Sequence, residues 1–255
     1  TTSLAAHFLI LAALYQCFRV NQTKRAFFWI LVACFAALTH AYLLGLVLTL
    51  WFASWLDCYF YNKTASLVKG VAEFALQCIF LALVCWQAGY FAIPMSSGAA
   101  GNYGLNGLDL LGFFDPNGWS HLLRFGTPYL FHTADGFQYL GLGNILLGLF
   151  AVFGVIKIGA KPVFFEIKKY PFLLLALLFL TLFALTQNVH IGNWQFNYWL
   201  PEKLIQWASI FRASSRMVWP VWYALVVSFI WIVWNSYSSK YVYVIMAFTA
   251  AIQIA

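Results

Sequence analysis

The sequence predicts an all-α membrane protein, a bundle of transmembrane helices joined by two long loops. Of its 255 residues, 64% are apolar and only 8% are charged, which is too little polar surface to cover a water-soluble globule. In hydrocarbon every backbone N–H and C=O group needs an internal partner, so a spanning chain forms helices or a closed barrel. Because the period-2 alternation of barrel strands is absent, helices are predicted.

Apolar segments that approach the roughly 20 residues needed to cross a bilayer predict about seven spans. Seven lie at 3–18, 26–56 (two spans), 70–92, 138–156, 170–187 and 217–235, and an incomplete span follows at 241–255. No linker or repeat interrupts the chain, so 1–255 is predicted to form a single transmembrane domain. Since both ends fall in apolar runs, we expect an internal fragment of a longer protein.

The segment 26–56 is too long for one upright helix and short for two. Thr39 and His40 place polar groups near its middle. We expect a tight helical hairpin that turns near His40, and the alternative is a single tilted span.

The distribution of Lys and Arg predicts the orientation. With the hairpin in place, ten of the fourteen basic residues share one side: Arg19, Lys24, Arg25, Lys63, Lys69, Lys157, Lys161, Lys168, Lys169 and Lys240. The excess of basic residues marks that side as cytoplasmic, which places the loops 93–137 and 188–216 on the extracytoplasmic side. The net charge of +7 therefore indicates basic cytoplasmic loops. Membrane lipid is the expected partner of the protein, and no nucleic-acid partner is predicted.

Two kinds of site are not expected from the residue spacing. The five cysteines show no C-x-x-C spacing, which favours neither a metal site nor a disulfide framework. Glu73 and Asp57 lie at span ends, where pairing with Lys69 or Lys63 would be structural.

The loop 93–137 carries two acidic candidates for catalysis. Asp115 begins Asp-Pro-Asn-Gly, an ordinary turn signal, so a turn role is at least as well supported as a catalytic one. Asp135 precedes the next helix, where a carboxylate stabilises the helix start, and this interpretation is favoured over a general base or metal ligand. The glycines of Gly141-x-Gly143 indicate close helix packing.

The loop 188–216 ends in two arginines. If the segment is helical, Arg212 and Arg216 lie four residues apart on one face, and guanidinium groups bind phosphate bidentately. Anchoring at the membrane surface is the alternative. Further residues expected to line an outward cavity are His40, His132, Tyr139, His190 and Glu202. An interhelical hydrogen bond is the commoner role for such a histidine.

Several segments together resemble an uncharacterised family of bacterial multi-pass membrane proteins, which in turn resembles the glycosyltransferases of the C superfamily. They are Ala6-His7-Phe8-Leu9, Thr39-His40-Ala41-Tyr42-Leu43, Phe114-Asp115-Pro116-Asn117-Gly118, Asp135-Gly136-Phe137-Gln138-Tyr139-Leu140-Gly141-Leu142-Gly143 and Phe211-Arg212-Ala213-Ser214-Ser215-Arg216. The resemblance implies a bacterial inner-membrane enzyme that moves a sugar from a polyprenyl-phosphate carrier to an extracytoplasmic acceptor.

In that resemblance, Arg212 and Arg216 bind the donor phosphate, and Asp135 is a supporting acid or metal contact. The catalytic acid of such enzymes usually lies in the first extracytoplasmic loop, which we expect to precede this fragment. Two rival functions remain open. One is a transporter or flippase of lipid-linked or anionic solutes, which needs charged groups near the bilayer midplane. The other is a non-catalytic scaffold of the cell envelope.

Overall fold

Apolar helices build nearly all of the structure, a computed structural model that describes residues 6–19, 24–92, 103–118, 120–123, 138–211 and 213–254. In chain order the helices are α1 Phe8–Phe18, α2 Arg25–Thr39, α3 Ala41–Leu56, α4 Leu67–Gln87, α5 Leu142–Ile158, α6 Ala160–Ile167, α7 Pro171–Leu185, α8 Glu202–Ala208, α9 Trp219–Ser236 and α10 Ser239–Ile254. One antiparallel hairpin, β1 Asn188–Ile191 and β2 Trp194–Asn197, follows α7. The predicted all-α class is confirmed.

Among the described residues, three helices are long and apolar enough to cross a membrane. They are Ala41–Tyr61, in which a π-helical turn extends α3, then Leu67–Gln87, and Ser214–Ser236, in which a 3₁₀ turn precedes α9. A fourth span results if α5 and α6, bent by 110° at Gly159, are taken as one. The four helices α1, α2, α7 and α10 are apolar but shorter.

The chain divides into two compact units. The first comprises Thr1–Gly98 and Ile167–Leu180, and the second comprises Ala99–Glu166 and Thr181–Ala255. In the first unit, α1, α2, α3 and α4 pack against one another. In the second, α5 packs against α9 and α10.

The predicted turn near His40 is confirmed. His40 has extended backbone angles, and its imidazole Nδ1 accepts a hydrogen bond of 3.3 Å from the Tyr42 N–H at the start of α3. At the other end of the hairpin, Arg25 Nη1 donates to Ser54 Oγ at 3.1 Å. Because this bond joins the first turn of α2 to the last turn of α3, the two helices run antiparallel.

Glycine allows α5 to approach α10 closely, as the Gly141-x-Gly143 pair predicts. A side chain at Gly143 would meet the Thr249 carbonyl and the backbone of Gln253 on α10. Gln253 also accepts from the Asn144 N–H at 3.2 Å. The core behind this contact consists of Leu147, Ala151, Val233 and Ile245.

Candidate functional site

The two long loops of the second unit fold together into one layer, here called the cap, which comprises the described residues of 103–118 and 186–215. Four hydrogen bonds join the two segments. They are Tyr103 N–H to Ser209 Oγ at 3.2 Å, Asn188 Nδ2 to Gly104 O at 3.2 Å, Gly192 N–H to Asp109 at 3.0 Å, and Ser215 N–H to Asn106 O at 3.0 Å. The described parts of the two loops therefore lie against each other.

Asp109 links the two loops of the cap, and no sequence motif predicts this role. Its buried carboxylate accepts from the N–H of Leu111 at 2.9 Å and from the N–H of Gly192. A short parallel bridge also pairs its backbone with His190. With its hydrogen bonds used in this way, Asp109 is a structural anchor that fixes the hairpin.

Asp115 makes the turn that its sequence predicts, and only one of its two carboxylate oxygens takes part in that turn. Its Oδ1 accepts from the Asn117 N–H at 2.8 Å, while Asn117 and Gly118 adopt positive φ angles of 44° and 80°. The carboxylate is buried, and Oδ2 has no hydrogen-bond partner among the residues that the structure describes. An unpartnered buried oxygen is costly, which makes Oδ2 the strongest indication of a ligand in the cap.

Tyr139 lies close enough to this carboxylate for the charge of Asp115 to affect its pKa. Burial is the main cause of a raised pKa of Tyr139. The charge of Asp115 raises it further, while Ser120 and the Leu142 backbone lower it, with a net rise. Leu140 is tied to the same turn region, because its N–H donates to Phe113 O at 3.0 Å. The structure thus places two predicted residues, Asp115 and Tyr139, near each other.

Arg216 lies where the cap meets the membrane-length helix. It belongs to the 3₁₀ turn Ser214–Val218, and its guanidinium sits over the ring of Trp219, 5.9 Å from the ring centre. The α-helical spacing from which a shared face with Arg212 was predicted is not found in this turn. Arg212 itself, with Asp135 and His132, lies outside the described residues.

The remaining predicted cavity residues occupy separate positions. His190 is buried on β1, with its backbone beside Asp109. Glu202 is exposed at the first residue of α8. His40 belongs to the first unit, where it caps α3.

The first unit contains a buried polar cluster. Arg25 Nε lies 3.3 Å from Glu73 Oε2, and that oxygen also accepts from the Tyr59 hydroxyl at 2.8 Å. Asp57 accepts from the N–H groups of Phe172 and Leu173, each at 3.0 Å, at the first turn of α7. The expected pairing of Glu73 and Asp57 with Lys69 or Lys63 is therefore wrong, because a buried carboxylate takes the partners packed against it.

An apolar cleft of about 570 Å³ opens in the same unit between α3, α4 and α7. Its walls include Trp51, Phe74, Gln77, Leu81 and Phe172. Gln77 is fully buried and its Oε1 has no hydrogen-bond partner within the described part of the chain. The volume suits a small ligand or a lipid chain.

Membrane-length apolar helices and a folded cap define the class, an α-helical membrane protein. The chain belongs to the family described as a domain of unknown function (DUF6311), whose profile matches residues 1–255. No curated protein and no solved structure matches the chain.

Proposed function

We propose that this protein is a membrane glycosyltransferase that moves a sugar from a polyprenyl-phosphate donor to an extracytoplasmic acceptor. The observation that carries the proposal is the buried, unpartnered carboxylate oxygen of Asp115 in the cap, and a cation, Arg216, directly follows the cap in the chain. Transfer from a lipid phosphate needs both: a base for the acceptor hydroxyl and a cation for the phosphate that leaves. The resemblance to the C superfamily supports the same assignment.

In the proposed reaction the acceptor oxygen forms a bond to the anomeric carbon of the sugar, and the bond from that carbon to the phosphate oxygen breaks. The acceptor proton passes to a carboxylate, for which Asp115 and Asp135 are the candidates on this chain. Arg212 and Arg216 hold the polyprenyl phosphate as its negative charge develops. Preorganised donors act strongly in such a partly dehydrated site.

The proposal includes the topology. We place the cap on the extracytoplasmic side of the bacterial inner membrane, with seven spans in a C-superfamily arrangement. Support comes from the ten basic residues assigned to the opposite side and from the direct contacts between the two loops, which a shared side requires. The hydrogen bond from Asn62 to Lys169 O, at 3.0 Å, likewise joins two of the basic loops.

A transporter is less well supported. Charged groups near the bilayer midplane would favour it. Arg25, Asp57 and Glu73 are the buried charged side chains described in the first unit, and each lies within about two turns of a helix end. Arg25 and Glu73 bind each other, and Asp57 caps α7, so their contacts are structural.

The test is a transfer assay with the full-length protein in proteoliposomes and a polyprenyl-phosphate-linked hexose, with release of polyprenyl phosphate as the readout. Asp115→Asn keeps the oxygen that accepts from Asn117 but loses the charge, so we expect an intact fold and a loss of rate of about 100-fold or more, the range of general base catalysis. Arg216→Ala should lower the rate through loss of the phosphate contact.

The matched control is Gln195→Ala, an exposed cap residue that should keep the wild-type rate. Full activity in both Asp115→Asn and Arg216→Ala would remove these residues from the reaction. A wild-type protein that neither binds nor turns over the lipid-linked hexose would overturn the proposed function and favour the scaffold.

A further inference from the structure

The β-hairpin of the cap has one apolar and one polar face. Its register pairs Val189 with Phe196 and Ile191 with Trp194, so these four side chains share a face. The opposite face carries Asn188, His190, Gln195 and Asn197. The contact of Gln195 Nε2 with Asn197 Oδ1 at 2.9 Å confirms that these two side chains lie together.

The polar side chains of β1 are turned toward the protein, whereas all four residues of β2 are exposed. His190 is buried, and Asn188 donates to Gly104 O of the other loop. Between the strands, the Gly192 N–H is bound by Asp109. The hairpin is therefore held to the cap through its polar side chains and its backbone.

The apolar face points away from the protein. Trp194 is 82% exposed and Phe196 is 68% exposed, and two tryptophans just beyond the hairpin, Trp199 and Trp207, are 84% and 65% exposed. Polar side chains of β1 that face the protein, together with aromatic rings that face outward, reverse the arrangement in a water-soluble sheet.

We propose that this apolar face lies in the outer part of the lipid bilayer, so that the hairpin and α8 form a membrane-inserted arm of the cap. Tryptophan and tyrosine favour the membrane–water boundary, where a flat amphipathic ring is partly in lipid. The arm is also continuous with a lipid-facing surface, because the membrane-length helix Ser214–Ser236 begins seven residues after Trp207 and most of it is not buried by protein.

The arm lacks the excess of basic residues that a surface for anionic lipid headgroups would have. Within 188–211 the charged residues are Glu202 and Lys203, which are adjacent and cancel. Insertion is therefore driven by apolar area and not by attraction to anionic headgroups. It follows that the arm inserts equally into zwitterionic and anionic membranes.

The test places the photoreactive residue p-benzoylphenylalanine at Phe196 of the full-length protein, purified and reconstituted in phosphatidylcholine vesicles. The matched control is the same residue at Gln195, one position away on the polar face. The reference for a lipid-facing site is Phe248, a half-exposed position on α10. After irradiation, lipid adducts are counted by mass spectrometry, a readout that does not depend on transfer activity.

We expect position 196 to yield lipid adducts at a level close to position 248 and at least fivefold above position 195. Addition of anionic lipid should leave that ratio unchanged. Equal adduct yields at positions 195 and 196 would overturn the proposal. Cross-links from position 196 to a second copy of the chain would overturn it as well, because they would show that protein covers the face. If the variant at position 196 does not fold, Trp194 offers the same face.

Discussion

The backbone N–H of Gly192 donates to both carboxylate oxygens of Asp109, at 3.0 and 3.2 Å, and so joins two loops that are 83 residues apart in the chain. Gly192 takes a φ of 58°, which suits the tight turn between the strands. This carboxylate is therefore one of the contacts that fix the position of the hairpin, together with the hydrogen bond from Asn188 to Gly104 O.

Replacement of that carboxylate should release the hairpin. Asp109→Ala removes the acceptor of the Leu111 and Gly192 N–H groups, and a hydrogen bond to a charged group contributes about 1.5–3 kcal/mol. We expect a lower melting temperature in detergent and faster protease cleavage at Gly192-Asn193. Gln195→Ala, on the exposed part of the same hairpin, is the control. Unchanged cleavage in Asp109→Ala would show that other contacts hold the hairpin.

The close packing of α5 predicts that alanine costs more stability at one of its glycines than at another. In Gly143→Ala the added methyl group meets backbone atoms of Thr249 and Gln253, which cannot move aside separately, and overpacking of this kind costs about 1–3 kcal/mol. In Gly148→Ala it meets only the edge of the Phe229 ring at 3.0 Å, which can shift. Thermal unfolding in detergent should rank Gly143→Ala well below Gly148→Ala, and the opposite order would contradict the packing described for α10.

Replacing one member of the ion pair in the first unit should lower stability more than replacing both members. Glu73→Leu leaves the Arg25 guanidinium buried without its partner, at a cost of about 3–5 kcal/mol. Adding Arg25→Met removes the unpaired charge and should recover most of that loss. Lys69→Ala, at the partner predicted from the sequence, should have little effect. A double variant no more stable than Glu73→Leu would mean that the pair is not the source of the loss.

The contribution of Tyr103 to the stability of the cap should depend on pH in the alkaline range. Burial, and then the charge of Tyr198, raise the pKa of Tyr103 from 10.0 to about 12, and its hydroxyl donates to Phe183 O at 3.0 Å. Because the folded state raises this pKa, its contribution to stability is complete below pH 10 and is lost as the pH rises through about 12.

Tyr103→Phe should therefore be less stable than the wild type at pH 9, by about 1 kcal/mol for the lost hydrogen bond, with a gap that narrows toward pH 12. Melting temperatures at both pH values test this, with the exposed Tyr243→Phe as the control. A stability difference between Tyr103→Phe and the wild type that stays constant with pH would contradict the raised pKa of Tyr103.

The sequence predicted the features that depend on local pattern. The break at His40 followed from the length of one apolar run, and the turn at Asp115 followed from four consecutive residues. Close packing at Gly143 followed from small residues in a helix. In each case the physical cause lies within a few residues of the chain, so a single sequence contains it.

Contacts between distant residues could not be predicted in the same way. The partner of Asp109 is in another loop, and the partner of Glu73 is Arg25 on another helix, although Lys69 is nearer in sequence. The hairpin did have a local signal, since Gly192-Asn193 separates two alternating runs, as is typical of a two-residue turn. The expectation of purely helical structure obscured it.

The claim on which the proposed function depends is that the cap faces away from the cytosol. An impermeant thiol reagent on sealed cells tests it, with cysteine placed at the exposed cap residue Gln206 and, as the cytoplasmic control, at Lys161, each compared with the parent protein. We expect Gln206→Cys to react on intact cells and Lys161→Cys to react only after the membrane is opened. Labelling in the reverse order would contradict it.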